Sequence, residues 1–476
     1  MSKKLYIPLF ISLLAFFGNA QGDLFSNKFG TDQLKADFEI LVSDLKACHP
    51  GLYDYTTPRT IDSLSTAFQQ GLTDSLTEQE FYIRIRKFLS VVGCGHTGAA
   101  PSAESFSKLR GKASALPIHI FVQDNQLYLR RTFDDSIDSL VQSRIISIDG
   151  VSAEDIRAEM EAIVSKDGNG EAMAVRYTEK LFQTYYLYLY GMKDTYQVVL
   201  ETRAGERVNV TLEGNVPKGR GIQKTHKLID PMKTSQAKFG FVDSLRKVAV
   251  MDLNSFPSGG YQKFYRESFK QLAEHESETL IIDLRGNGGG YFPNGNQLLC
   301  YLMKEKFTMD FDRPRKQAKR SKHVKTDFSG KMTRSVFFSI PDRNKEDPDR
   351  NYQIGFRPIK RNHFDGQVYI ITDGWTFSTS SFVASKLKNS IGAITVGEET
   401  GGGEVAFNAV LKWYLVLPNT KIRITLPMYH VDIQPEMKDA GRGVLPDIPV
   451  QYETVHQRMN RIDLEMQEIL QVLERN

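Results

Sequence analysis

The sequence is poor in cysteine, nearly neutral in charge, and has no long apolar run beyond its first residues. Three cysteines among 476 residues (Cys48, Cys94 and Cys300) allow at most one disulfide and form no Cys-x-x-Cys pair. A disulfide scaffold and a cysteine-rich zinc site are thereby excluded. Lys and Arg total 61 against 57 Asp and Glu, and a formal charge of +4 gives no bulk electrostatic reason to bind nucleic acid. After Phe17 nothing approaches 18 consecutive apolar residues, so no later segment reads as a membrane span. What is present is 41% hydrophobic and 11% aromatic residues, the composition of a folded protein with large cores. The length suits two to four domains at about 100–200 residues each.

Met1 to Gly22 has a basic start (Lys3, Lys4), an apolar run from Leu5 to Phe17, and Gly18-Asn19-Ala20 before Gln21. This layout predicts a signal peptide over residues 1–20 and an exported chain, periplasmic or secreted. From Thr31 to Gly93 the apolar residues recur at three- and four-residue spacing, and Thr77 with Glu80 forms a capping-box pattern. Three helices in an N-terminal helical domain (24–98) are expected. It ends at the glycine-dense turn Gly93-Cys94-Gly95-His96-Thr97-Gly98.

From Leu116 the pattern turns to short strands. Ile118–Val122 and Gln126–Leu129 flank an Asp124-Asn125 turn, and Arg144–Ile148 runs into Asp149-Gly150. The stretch Ser143 to Ala153 resembles the part of PDZ domains that leads from a strand through such a turn to a helix, so residues 110–215 are expected to form a PDZ-like domain. Residues 215–238 are basic and punctuated by Gly and Pro, as in a linker. Beyond them strands alternate with helices, including the apolar strands Thr279–Leu284 and Gln367–Thr372, which indicates a buried, largely parallel α/β sheet. The segment Arg313 to Arg334 carries nine Lys and Arg against Asp327 alone and reads as a solvated basic insertion (311–365). Residues 451–476 read as a C-terminal helix.

Two loops carry the chemistry. Arg285-Gly286-Asn287-Gly288-Gly289-Gly290 follows a buried strand without the pattern of a phosphate cradle, and its glycines let backbone N–H groups approach a developing negative oxygen. One strand later, Ser378 stands between strand and helix, where a hydroxyl is either an N-cap or an exposed nucleophile. Both loops fall at the carboxyl edge of one sheet, where α/β folds build their sites.

Leu280 to Gly290, Thr376-Phe377-Ser378-Thr379-Ser380, Thr395 to Gly403, and Gly441-Arg442-Gly443-Val444-Leu445-Pro446-Asp447 occur in the order and spacing of the C-terminal-processing (tail-specific) serine peptidase family, which the chain resembles. The resemblance implies a crotonase/ClpP-like peptidase core over 240–310 and 366–450, in a chain of α/β (α+β multidomain) class. It implies a serine endopeptidase with Ser378 as nucleophile and backbone N–H groups of Gly288 or Gly289 and of Thr379 as the oxyanion hole. The lysine of the Ser–Lys branch is replaced by Gly403. Lys386 and Lys388 lie two and three turns along the nucleophile's helix, too far to serve Ser378 at ~1.5 Å per residue. Gly95-His96-Thr97 is similar to the Gly-His-Thr segment of the tricorn-core and retinoid-binding-protein-like branch, which makes His96 the base. Asp439, or Glu436, is the acidic residue offered to orient it. No metal or organic cofactor is implied. The expected partner is a polypeptide substrate, recognised through its C-terminus by the PDZ-like domain, and no nucleic acid. The alternative is a catalytically inactive binding protein on the same scaffold, holding an apolar ligand or a peptide.

Overall fold

The computed structural model describes residues 27–109, 114–215, 226–259, 261–311, 322–326, 352–434, 436–438, 440–459 and 462–475. The leader, Asp439 and most of the basic insertion lie outside them. Helices α1 (Thr31–Cys48), α2 (Pro58–Gln70) and α3 (Glu78–Ser90) open the chain. The capping box forms at α3: Thr77 Oγ1 accepts the Glu80 N–H, and the Glu80 carboxylate accepts the Thr77 N–H. After α3 the chain passes through the His96 turn into a short strand, β1 (Gly98–Ala100).

An antiparallel sheet follows in chain order: β2 (Ile118–Gln123), β3 (Gln126–Thr132), β4 (Arg144–Ile148), β5 (Thr195–Glu201) and β6 (Arg207–Glu213). Asp124 and Asn125, both at positive φ, make its first turn. Between β4 and β5 lie α4 (Ala153–Ala162) and α5 (Ala172–Tyr190). Tyr185, Tyr186, Tyr188 and Tyr190 belong to α5, where Tyr185 and Tyr186 are buried.

The second sheet has seven strands in the order β7 (Ile229–Lys233), β8 (Ala237–Phe241), β9 (Val248–Leu253), β10 (Thr279–Asp283), β14 (Gln367–Thr372), β15 (Ile394–Gly397) and β18 (Ile448–Pro449). From β9 onward every pairing is parallel. Helices α6 (Tyr261–Glu274), α7 (Phe292–Leu302) and α8 (Thr379–Ile391) connect its strands. Leu280, Ile281 and Ile282 have no exposed surface, as covered faces require, and each stabilises the fold by ~1.5–3 kcal/mol. Strands β7 and β8 correct the sequence reading in part, because they occupy the end of the stretch read as linker; the Lys and Pro of β7 mask its edge-strand pattern.

A third sheet orders as β12 (Val324–Thr326), β16 (Ala406–Val416), β17 (Arg423–Asp432), β11 (Phe307–Phe311) and β13 (Tyr352–Phe356), with β1 also on β17. Gly98 pairs with Thr425, so the segment after His96 is stitched to the C-terminal half. One continuous apolar core joins α1–α3, the first sheet and Leu415–Leu426. Helix α9 (Leu464–Arg475) covers the other face of the parallel sheet through Met466 and Ile469. His430 on β17 sits between Asp54 (3.3 Å) and Asp432 (3.2 Å). Burial opposes its charge, but hydrogen bonds to the two carboxylates outweigh burial and push its pKa up to about 10. A protonated His430 thus ties the α1–α2 loop to the β16–β17 hairpin. Among the described residues no helix is long and apolar enough to cross a membrane.

Candidate active site

Ser378 stands between β14 and α8 with φ 57° and ψ −122°, a conformation that costs a non-glycine residue of order 1–3 kcal/mol. Its side chain makes no capping hydrogen bond, which removes the N-cap reading. Instead its Oγ lies 3.1 Å from His96 Nε2, across 282 residues of sequence.

The turn is held by the loop of the preceding strand. Asp373 accepts the N–H groups of Gly286 (3.0 Å) and Trp375 (3.0 Å), and Thr376 Oγ1 donates to the Leu284 carbonyl (3.0 Å). Phe377 N–H donates to Asn287 O at 3.1 Å, and Thr379 Oγ1 to Gly290 O at 3.0 Å. Asn287, fully buried, donates its side-chain amide to Leu253 O (3.0 Å) and accepts the Gly289 N–H (3.0 Å). That bond occupies Gly289. The N–H groups of Gly288 and Thr379 make no hydrogen bond among the described residues. Behind Ser378, the N–H groups of Gly401 and Gly402 donate to Thr376 O, at 2.9 and 3.2 Å. A Cβ on Gly402 would stand 3.0 Å from Ser378 N, so only glycine lets that loop close on the turn. Tyr177 of α5 stacks on Trp375 at 4.2 Å, with Lys180 Nζ 3.6 Å from the same ring.

His96 is held by stacking on Phe377 (4.5 Å between ring centres) and, more loosely, on Phe407 (6.1 Å). Its Nδ1 is buried and meets no hydrogen-bond partner among the described residues. Asp439 lies outside those residues, and Glu436 is exposed. Burial, with Lys412 adding to it, lowers the His96 pKa from 6.5 to about 3, so the ring is neutral, and in its Nδ1–H tautomer Nε2 can accept the serine proton. Burial first, and then the charge of Asp167, push the Cys94 thiol up to about 12, so Cys94 stays protonated and cannot act as a thiolate. Lys388 is engaged by Asp447 (2.9 Å) and the Leu445 carbonyl (2.6 Å). Among the described residues no group of three or more His, Cys, Asp or Glu is arranged to hold a metal ion.

The expected role of His96 as base would carry a pH dependence. A base titrating at ~6.5 would lose about 30-fold of kcat/KM between pH 8 and pH 5. With the pKa at about 3, kcat/KM for a fluorogenic peptide is expected to change by less than about twofold over that interval and to fall only at more acid pH. A pH–rate profile checks this, and a limb centred near pH 6.5 would contradict it. For stability the sign is the same: folding lowers this pKa, so the His96 contribution is complete above pH ~6.5 and erodes as pH falls toward 3.

Asn287 and Asp167 escaped the sequence reading. Asn287 sits inside the glycine loop, where the position of an amide beside Gly289 was the available signal. Asp167 lies in Lys166-Asp167-Gly168-Asn169-Gly170, which reads as a polar break and carries no motif.

Residues 247–450 match the model of peptidase family S41. No curated protein matches the chain in sequence. Among solved structures, mature CPAF complexed with lactacystin is 14% identical, with a TM-score of 0.64 over 94% of this chain and 99% of that one. Mature CPAF alone is 14% identical, with a TM-score of 0.61 over 90% and 94%. At this identity the likeness is one of fold.

Proposed function

From the premise that this chain belongs, through residues 247–450, to peptidase family S41, the C-terminal-processing serine peptidases, we propose that Ser378 and His96 are its nucleophile and base. The observation that carries the reading is the 3.1 Å approach of Ser378 Oγ to His96 Nε2 at the carboxyl edge of the parallel sheet. In the first step the Ser378 O–H proton passes to His96 Nε2 while Oγ bonds to the carbonyl carbon of the scissile peptide. The negative oxygen that forms is met by the Thr379 and Gly288 N–H groups, with the N-terminal end of α8 adding its field. His96 then gives the proton to the leaving amine as the C–N bond breaks, and water removes the acyl group by the same path in reverse.

The substrate is a polypeptide. In this reading the chain is exported by its leader, the 118–213 sheet with its helices is the PDZ-like domain that takes the substrate's C-terminus as an added strand, and Asp439 orients His96 from Nδ1. That no described residue bonds to Nδ1 is what favours a binding protein on the same scaffold. A fluorophosphonate probe separates the two. The wild-type protein should be labelled and cleave casein, and Ser378→Ala should do neither. Equal labelling of both proteins would sink the nucleophile assignment, and no labelling of the wild type would favour the binding protein.

A further inference from the structure

We propose that Asp167 is a positioning residue that clamps the His96 turn onto the nucleophile; this rests on the reading of Ser378 and His96 as nucleophile and base. Asp167 is 6% exposed. One carboxylate oxygen accepts the Gly95 N–H at 2.7 Å and the other the Gly403 N–H at 3.4 Å. Gly95 precedes His96 in the chain. Gly403 follows Gly402, whose backbone lies against Ser378. A single side chain therefore joins the turn that bears the base to the loop that backs the nucleophile.

The residues beside Asp167 reinforce the clamp. Gly168 N–H donates to Gly93 O at 2.9 Å, and Asn169 N–H to Gly441 O at 2.7 Å. The 167–169 segment thus fastens three loops from distant parts of the sequence. Gly168 adopts φ +59°, which glycine accommodates without strain. On its other side Gly95 abuts Phe377, where a Cβ would stand 2.7 Å from the ring, so the His96 turn is pinned between Phe377 and the Asp167 carboxylate. Nothing on the described side of Nδ1 holds the imidazole by hydrogen bonding. Among the described residues the ring is placed by stacking, by Ser378 Oγ and by the backbone of its own turn, and that backbone is what Asp167 grips. A misplacement of about 1 Å at such a site costs roughly 10²-fold in rate.

Asparagine at this position keeps the shape but offers one acceptor oxygen, and its NH₂ must face a backbone N–H, donor against donor. Asp167→Asn is expected to lower kcat by about 10- to 100-fold with KM changed less than about twofold, and Asp167→Glu to recover part of the loss. In a His96→Ala background the same Asp167→Asn change should add no further loss, because the residue acts through the base. The quantities to measure are kcat on a fluorogenic peptide and the second-order rate of fluorophosphonate inactivation, with urea unfolding of each variant as the fold control. Wild-type kcat in Asp167→Asn, or the same fold loss with and without His96, overturns the clamp. His96→Ala inactivated at the wild-type rate overturns the base reading on a separate arm, and the clamp with it. Should Asp167→Asn not fold, Asp167→Glu in the two backgrounds gives the same comparison.

Discussion

His96→Ala is expected to lower kcat for peptide hydrolysis by about 10⁴- to 10⁶-fold, as far as Ser378→Ala does, and the double variant to fall no further. The reason is that the two side chains act as one unit. The serine hydroxyl is a weak nucleophile until its proton is removed, and the described residues place only one neutral base within hydrogen-bond reach of Oγ, at 3.1 Å. With the imidazole gone, no other group takes the proton: Cys94 remains a thiol, and Lys388 is held by Asp447 and the Leu445 carbonyl. What survives is the rate due to the oxyanion donors and to binding. The variant also leaves a gap between Phe377 and Phe407, so a modest loss of stability accompanies the change and must be separated from it by comparing circular dichroism and unfolding midpoints. Near-wild-type turnover in folded His96→Ala would refute the assignment of the base, and additive losses in the double variant would show that the two residues act independently.

Gly289→Ala should lower kcat by about 10²- to 10³-fold with little change in KM. At φ +93° an L side chain is strained, and the added methyl would stand 2.8 Å from Ser378 Cβ, 2.8 Å from Phe377 O and 2.9 Å from Thr379 N. All three neighbours belong to the nucleophile turn or its backbone, so none can swing aside as the end of a flexible chain would. The two loops must separate, which carries Thr379 N–H and Gly288 N–H away from the position the oxyanion occupies. Losing one such donor typically costs ~2.7–4 kcal/mol of transition-state stabilisation. Gly288→Ala provides the contrast. There the methyl meets Trp375 Nε1 at 3.1 Å, and an indole can shift by a few tenths of an ångström. Its loss should be the smaller of the two, and Gly289→Ala with wild-type kcat would remove the glycine loop from the mechanism.

What could be read in the sequence was local. The Thr77–Glu80 cap, the Asp124-Asn125 turn and the apolar strands at Thr279 and Gln367 each follow from a few adjacent residues, and the helices and strands lie where those residues put them. Ser378 and His96 stood out because the short motifs around them resemble those of a peptidase family, and the structure places the two side chains 3.1 Å apart. The unreadable parts depend on partners far along the chain. The long β16–β17 hairpin is interrupted by a register shift between Ala409 and Lys412, with Val410 at φ 73°, and this breaks the alternation that marks a strand. Strand β7 looks like linker until its edge position explains its polarity. Asp167 gains its role from Gly95, 72 residues before it, and Gly403, 236 residues after it, and nothing in its own segment announces either.

The separation of Ser378 from His96 by 282 positions has a consequence for biosynthesis. A ribosome delivers His96 early and Ser378 late, and the strand after His96 pairs with Arg423–Thr425, later still. Contacts of such long range also form slowly. In the reading of Ser378 and His96 as nucleophile and base, the pair is therefore assembled only when distant parts of the chain have come together.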